Sequence, residues 1–309
     1  MLTVIVPCYN EAENLVALTQ RLLKTLDSLP TESQIFFVND GSTDQSLAII
    51  KELAAQNNRI KYIALSRNFG QQVAFSAGIN NSASSHATVL IDADLQDPPE
   101  LIAELYQKWQ EGYHVAYAQR TQRQGENGLK KITAYYFNRF LGKITNVPIP
   151  LDTGDYKIID KKVADVLRLM PEQQKYLRGQ VAWAGFRQTP VFYERNQRLA
   201  GSTHYTYRKM LRLAFDGITG FSNLPLKMAT ILGFWVSLAS FFGIIYALYA
   251  RFVSKNYVPG WTSLIIAVFF MGGVQLICLG IIGEYLGRLS ENVRNRPLYV
   301  IAETNLTIE

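Results

Sequence analysis

The chain has 309 residues, 48% of them hydrophobic, and a formal net charge of +6. That length holds a soluble domain of ordinary size plus further elements. The positive balance suits contact with anionic headgroups or phosphates, but it is too mild for a nucleic-acid binder, and no basic stripe interleaved with aromatics accompanies it, which excludes nucleic acid as a partner.

Residues 3–7 predict a short buried strand ended by Pro7. From Glu11 to Leu29, Leu15, Leu18, Leu22, Leu23 and Leu26 recur at helical spacing. Gln34–Val38 predicts a second strand, followed by the polar run Asn39-Asp40-Gly41-Ser42-Thr43-Asp44. A helix over 46–55, a strand over 60–65, a helix over 71–80 and a strand over 87–91 follow. Pro99–Glu111 predicts a helix starting near Asp97, and Val115–Ala118 a fifth strand. Strands alternating with helices of this length imply an α/β fold with a mostly parallel sheet. Ligands of such sheets bind beyond the carboxyl ends of the strands, where every polar cluster just named falls.

Residues 125–136 lose this rhythm and predict a loop leading into a helix. Leu151–Ile159 and Val181–Tyr193 predict further strands, Asp160–Met170 a helix, and Gln197–Tyr205 a polar loop. Within 206–225 an amphipathic juxtamembrane helix is expected, with Met210, Leu211, Phe215 and Ile218 toward apolar surroundings and Arg208, Lys209 and Arg212 near headgroups. An ordinary surface helix satisfies the same pattern.

Charged residues are common up to about Arg212 and sparse beyond it, and the runs 228–250 and 261–283 carry none. About 20 apolar residues span a hydrocarbon core, so the two runs predict a transmembrane hairpin. Lys and Arg concentrate on its soluble-domain side, which places both termini in the cytoplasm of an inner (plasma) membrane protein. The expected division is a cytoplasmic domain over 1–205, the interfacial helix over 206–225, the hairpin over 226–289 and a cytoplasmic tail over 290–309. Such hairpins are expected to pack against copies of themselves, so a homo-oligomer is anticipated. Met1–Pro7 has no basic region and too short an apolar core for a signal peptide. Cys8 and Cys278 are distant and in apolar settings, which suits inert thiols in a reducing compartment.

The run Val89-Leu90-Ile91-Asp92-Ala93-Asp94 ends a predicted strand in two acids one residue apart. If strand geometry persists past Ile91, both carboxylates share one face. Such a pair suits a divalent cation held together with a phosphate; a solvated turn or helix cap uses the same residues.

Three strand-end motifs stand in order: Pro7-Cys8-Tyr9-Asn10-Glu11, Asp40-Gly41-Ser42 and Asp92-Ala93-Asp94. In these the chain resembles the family 2 glycosyltransferases with the GT-A fold. More specifically it resembles the polyprenyl-phosphate glycosyltransferases, the group containing bactoprenol glucosyltransferases and dolichyl-phosphate mannose synthase. The matching segments are Ser66-Arg67-Asn68-Phe69-Gly70, Asp92 to Pro99, Gly154-Asp155-Tyr156, Arg178-Gly179 and Phe221 to Leu226, and the likeness covers essentially the whole chain.

The resemblance implies an inverting, metal-dependent hexose transfer, with UDP-glucose and undecaprenyl phosphate as the leading pair. GDP-mannose or a UDP-amino sugar as donor, and a non-catalytic membrane subunit that binds nucleotide or lipid, are the rivals. It assigns Pro7, Tyr9, Glu11, Asp40, Asp92 and Gln96 to the nucleotide sugar, Asp94 with Asp92 to a Mg²⁺ or Mn²⁺ ion, and Asp155 to orienting the acceptor or acting as base. A lipid phosphate is already anionic and needs positive charge rather than a strong base. Arg120, Arg123, Lys130, Lys131, Arg198 and His204 are the candidates for it. His204 and Ser202 stand where the family carries lysine and an acid. His86 and His114 read as surface residues, and Trp183 as either a stacking platform or a core residue.

Overall fold

The computed structural model describes residues 1–82, 85–121, 150, 153–194, 224–252 and 260–306. The chain divides into two compact units, one of Met1–Leu213 with Arg296–Glu309 and one of Ala214–Asn295. The predicted interfacial helix lies almost wholly outside the described residues, as do the loop at 125–136 and the polar loop at 197–205.

The first unit is built on strands β1 (Leu2–Cys8), β2 (Ser33–Asn39), β3 (Ile60–Leu65), β4 (Ala87–Leu90), β5 (Val115–Arg120), β6 (Thr153–Asp160), β7 (Gln188–Tyr193) and β8 (Ile301–Thr304). They form one sheet in the order β7-β5-β6-β4-β1-β2-β3-β8. The pairs β1–β2, β1–β4, β2–β3 and β5–β7 are parallel; β4–β6, β5–β6 and β3–β8 are antiparallel. The expectation of a mostly parallel α/β sheet holds. Helices α1 (Ala12–Asp27), α2 (Ser46–Gln56) and α4 (Ile102–Gln110, entered through a 3-10 turn at Pro99–Leu101) cover one face. Helices α3 (Gln71–Asn80), α5 (Lys161–Leu169) and α6 (Leu177–Trp183) cover the other.

Every residue of β1 is buried, because it runs mid-sheet with helices on both faces. Leu15, Leu18, Leu22 and Leu26 of α1 are buried against it and its neighbours. Each such leucine contributes on the order of 2 kcal/mol of burial.

Three elements differ from expectation. First, β1 does not stop at Pro7 but runs on to Cys8, paired with β2 through Pro7↔Val38 and Cys8↔Asn39. On the other side its last partner in β4 is Leu90, opposite Ile5. Ile5 O accepts the Ile91 N–H, so Pro7, two residues on, also faces the β4 side. Its missing N–H therefore falls just where β4 departs and no ladder partner is needed. Second, Val181–Tyr193 is not one strand: 177–183 is helix α6, ended at Gly185 with φ +72, and β7 starts at Gln188. Glycine at positive φ is the residue that stops a helix. Third, the tail holds β8, which closes the outer edge of β3. Asn305 extends this pairing through its side chain, accepting the Tyr62 N–H at 2.7 Å and donating to Ile60 O at 3.1 Å.

The second unit consists of α7 (Leu224–Phe252) and α8 (Trp261–Val293). Cys278 Sγ lies 3.9 Å from the Ala229 carbonyl, so the helices run side by side. Leu226–Gly243 and Phe270–Val293 are apolar enough and long enough to cross a membrane, and none of their described residues is buried. Phe234, Trp235, Phe241 and Phe242 face outward at 58–62% exposure, the reverse of a soluble core helix.

Candidate active site

The strand order reverses between β1 and β4, the point at which open α/β sheets place their ligands. The loops leaving β1 and β2 interlock there. Asn10, at φ +56, accepts the Thr43 N–H on its side chain at 2.8 Å and donates its own N–H to Ser42 Oγ at 3.1 Å. The Glu11 N–H donates to Ser46 Oγ at 2.9 Å, and the Glu11 carboxylate accepts from Asn14 Nδ2 at 2.6 Å. Asp44 accepts the N–H groups of Ala12 at 3.2 Å and Ser46 at 2.9 Å. Tyr9 is exposed, and Pro7, two residues before it, is buried.

Asp40 is buried and spends both carboxylate oxygens on backbone, accepting Phe69 N–H at 2.7 Å and Gly70 N–H at 2.9 Å. Burial raises its pKa, opposed by these two bonds and by Arg67. Gly41 sits at φ +66 against the Arg67–Asn68 backbone, where any side chain would collide. The Asp-Gly pair thus fixes the 66–70 loop to the end of β2. Arg67 lies over the Phe69 ring at 4.0 Å.

The chain does not keep strand geometry past Ile91. β4 ends at Leu90, and the turn that follows holds Leu95, a buried non-glycine residue, at φ +57. A left-handed leucine costs about 1–2 kcal/mol. Asp92 and Asp94 are therefore placed by this strained turn rather than by strand alternation. Asp94 is buried, and its Oδ1 accepts the Gln96 N–H at 3.1 Å. Asp92 Oδ1 accepts from Gln71 Nε2 at 2.6 Å. Burial holds the Asp92 pKa well above the ordinary carboxylate value, and Asp97, Asp155 and Asp94 push it the same way.

Three cationic residues, Arg120, Arg178 and Lys157, lie among the acids Asp92, Asp97 and Asp155. Arg120, at the end of β5, donates from Nε to Tyr193 Oη at 3.3 Å, and Tyr193 donates to the buried Asp97. Burial opposes the Arg120 charge, but Tyr193, Asp97 and Asp92 more than restore it and raise its pKa. Burial, and then Asp97, push the Tyr193 phenol well above its ordinary value, so it stays a donor. Asp155 accepts from Gln72 Nε2 at 2.7 Å, and its Oδ1 lies 3.5 Å from Arg178 Nε. Lys157, two residues along β6 on the same face, is buried and held down to about 8 by desolvation, with Asp155 opposing and Arg178 adding to the fall.

Of the predicted site residues, the structure gathers Pro7, Tyr9, Glu11, Asp40, Asp92, Asp94, Gln96, Arg120 and Asp155 on strand ends and the loops that leave them. Arg123, Lys130, Lys131, Arg198 and His204 lie outside the described residues. Trp183 is 62% exposed on α6, so it is not a core residue. Sequence reasoning assigned no role to Gln71, Gln72, Asp97, Lys157, Arg178 or Tyr193. Asp97 and Arg178, each inside a matching segment, carried the only signal.

Among the described residues no group of three or more His, Cys, Asp or Glu side chains is placed to hold a metal ion. Asp92 and Asp94 offer two carboxylates, which fits a Mg²⁺ or Mn²⁺ ion that takes its other oxygens from water and a diphosphate. The like-charge crowding on Asp92 is the feature a cation would relieve.

The profile of Glycosyl transferase family 2 matches residues 3–168. An uncharacterized glycosyltransferase of Bacillus subtilis is 44% identical over 302 residues, 98% of this chain and 93% of that one. The bactoprenol glucosyl transferase of Shigella phage SfII is 36% identical over 304 residues, 98% of each chain. Among solved structures, glucosyl-3-phosphoglycerate synthase from Mycobacterium tuberculosis with UDP aligns at TM-score 0.48 and 13% identity, covering 71% of this chain and 78% of that one.

Proposed function

Because the chain belongs to glycosyl transferase family 2, we propose that it transfers glucose, with inversion, from UDP-glucose to a polyprenyl phosphate, undecaprenyl phosphate, at the cytoplasmic face of a membrane. The observation that carries this reading is the joining, in one chain, of a strand-end acidic site to two apolar, outward-facing helices. The names of relatives that align over nearly its full length support the prenyl acceptor.

The nucleoside lies against Tyr9, Glu11 and the loop that Asp40 anchors, with Gln96 beside the sugar. Asp94 and Asp92 would hold a divalent cation, which would supply positive charge for the departing diphosphate. An oxygen of the lipid phosphate forms the new bond to the anomeric carbon as the bond to UDP breaks. Arg120, with its charge sustained by the surrounding acids, draws this second anion in. Asp155 orients it. Since the acceptor is already ionised, positioning contributes more than proton removal.

The chain leaves the first unit for the hairpin and returns to it as β8. That connectivity supports both termini on one side of the membrane, and the Lys/Arg bias makes that side the cytoplasm. The test is transfer of radiolabelled sugar into organic-extractable lipid with Mg²⁺ or Mn²⁺, one donor at a time. UDP-glucose should label the lipid best. Labelling by GDP-mannose or a UDP-amino sugar instead would reassign the donor, and nucleotide binding without transfer from any donor would sink the enzyme reading.

A further inference from the structure

The first turn of α3 presents adjacent amides to carboxylates on two different segments. Gln71 donates to Asp92, and Gln72 donates to Asp155. Gln72 also accepts the Leu177 N–H on Oε1 at 3.0 Å. A backbone N–H only donates, so Oε1 must face Leu177 and Nε2 is left for Asp155; the chemistry fixes which way the amide points. Leu177 opens α6, and the next residue, Arg178, sets its Nε 3.5 Å from the other Asp155 oxygen. One side chain therefore fixes both the Asp155 carboxylate and the start of the helix that carries its cationic neighbour. The turn itself is secured from behind, since Asp40 holds the N–H groups of Phe69 and Gly70 immediately before it.

We propose that Gln72 is a positioning residue for the transfer step: it holds Asp155 in the orientation that serves the acceptor and touches neither substrate. The proposal rests on the transfer reading above. It differs from a merely structural bond between α3 and α6, whose loss would lower stability, donor affinity and rate together.

The experiment uses the full chain in detergent, with Gln72→Met and Gln72→Glu. Methionine keeps the length and removes both bonds. Glutamate keeps the acceptor for Leu177 but replaces the donor with a negative charge against Asp155. Four quantities are read: UDP affinity by calorimetry, kcat and KM for prenyl phosphate, and the melting temperature. Loss of one hydrogen bond to a charged group predicts a fall in kcat of about 10- to 100-fold for both variants, with UDP affinity within about twofold. Glutamate should be at least as harmful as methionine although it spares the Leu177 bond. A kcat within about twofold of wild type for Gln72→Glu overturns the proposal, as does a loss of UDP affinity that matches the loss of rate. The double variant Gln72→Glu, Asp155→Asn reverses donor and acceptor. Its melting temperature should recover from that of Gln72→Glu toward wild type, and no recovery overturns the contact itself. If the wild type transfers no sugar from any donor, the transfer reading fails, whereas the melting comparison still decides whether positions 72 and 155 are coupled.

Discussion

Asn305→Ala tests whether the C-terminal strand is an integral part of the sheet. The Asn305 side chain supplies an acceptor to Tyr62 N–H at 2.7 Å and a donor to Ile60 O at 3.1 Å, so one amide stands in for a further backbone pair along β3. The neighbouring contacts are independent of it: Thr304 Oγ1 donates to Tyr62 O at 2.9 Å, and Lys51 pairs with Glu303 at 2.7 Å. Two neutral hydrogen bonds at about 1 kcal/mol each give a loss of about 2 kcal/mol. In a folding unit of this size, 1 kcal/mol moves the melting temperature by about 2–4 °C, so a fall of about 4–8 °C is expected. The assay is thermal unfolding of the detergent-solubilised chain followed by near-UV circular dichroism. Asn305 adjoins the start of β3, whereas the 66–70 loop follows its end, so UDP affinity should not change. A melting temperature within about 1 °C of wild type would refute the reasoning, because it would mean that water replaces both bonds at no cost.

Asp94→Asn should abolish transfer while leaving the melting temperature within about 3 °C, since the asparagine oxygen still caps Gln96; wild-type turnover would refute the cation role. Tyr193→Phe removes the hydroxyl between Arg120 and Asp97 and should lower stability by about 1–3 kcal/mol in urea titrations; an unchanged midpoint would show that Asp97 is satisfied without it. Lys157 gives a pH signature. Its folded pKa of about 8 lies below the unfolded value of 10.5, so its contribution is full above the unfolded value and is lost as pH falls through about 8. The wild type should gain stability on this count between pH 8 and 10.5, and Lys157→Met should remove that slope. Identical pH dependence of the urea midpoint in the two proteins would contradict the assignment.

The alternating elements were legible because each buried strand or amphipathic helix declares its own period, as α1 does through Leu15, Leu18, Leu22 and Leu26. The Asp-Gly pair at 40–41 was legible because its chemistry is local. What escaped were contacts that depend on distant chain. Nothing near Gln72 announces that Asp155, 83 residues away, will face it. β8 escaped because Ile301–Thr304 is a short, mostly exposed strand whose pairing partner lies far back in the chain. The split of Val181–Tyr193 into helix and strand turned on Gly185, whose positive φ outweighs the β-forming residues around it.

Pro7 has a consequence for how the crevice stays open. A strand that can donate on both edges tends to zip up along any neighbour that runs beside it. Pro7 offers no donor at the step where the β4 chain peels away, so the ladder on that side has a fixed last rung at the Ile91–Ile5 bond. The point at which the two chains part is therefore written into the covalent structure, because a proline ring cannot supply the next rung.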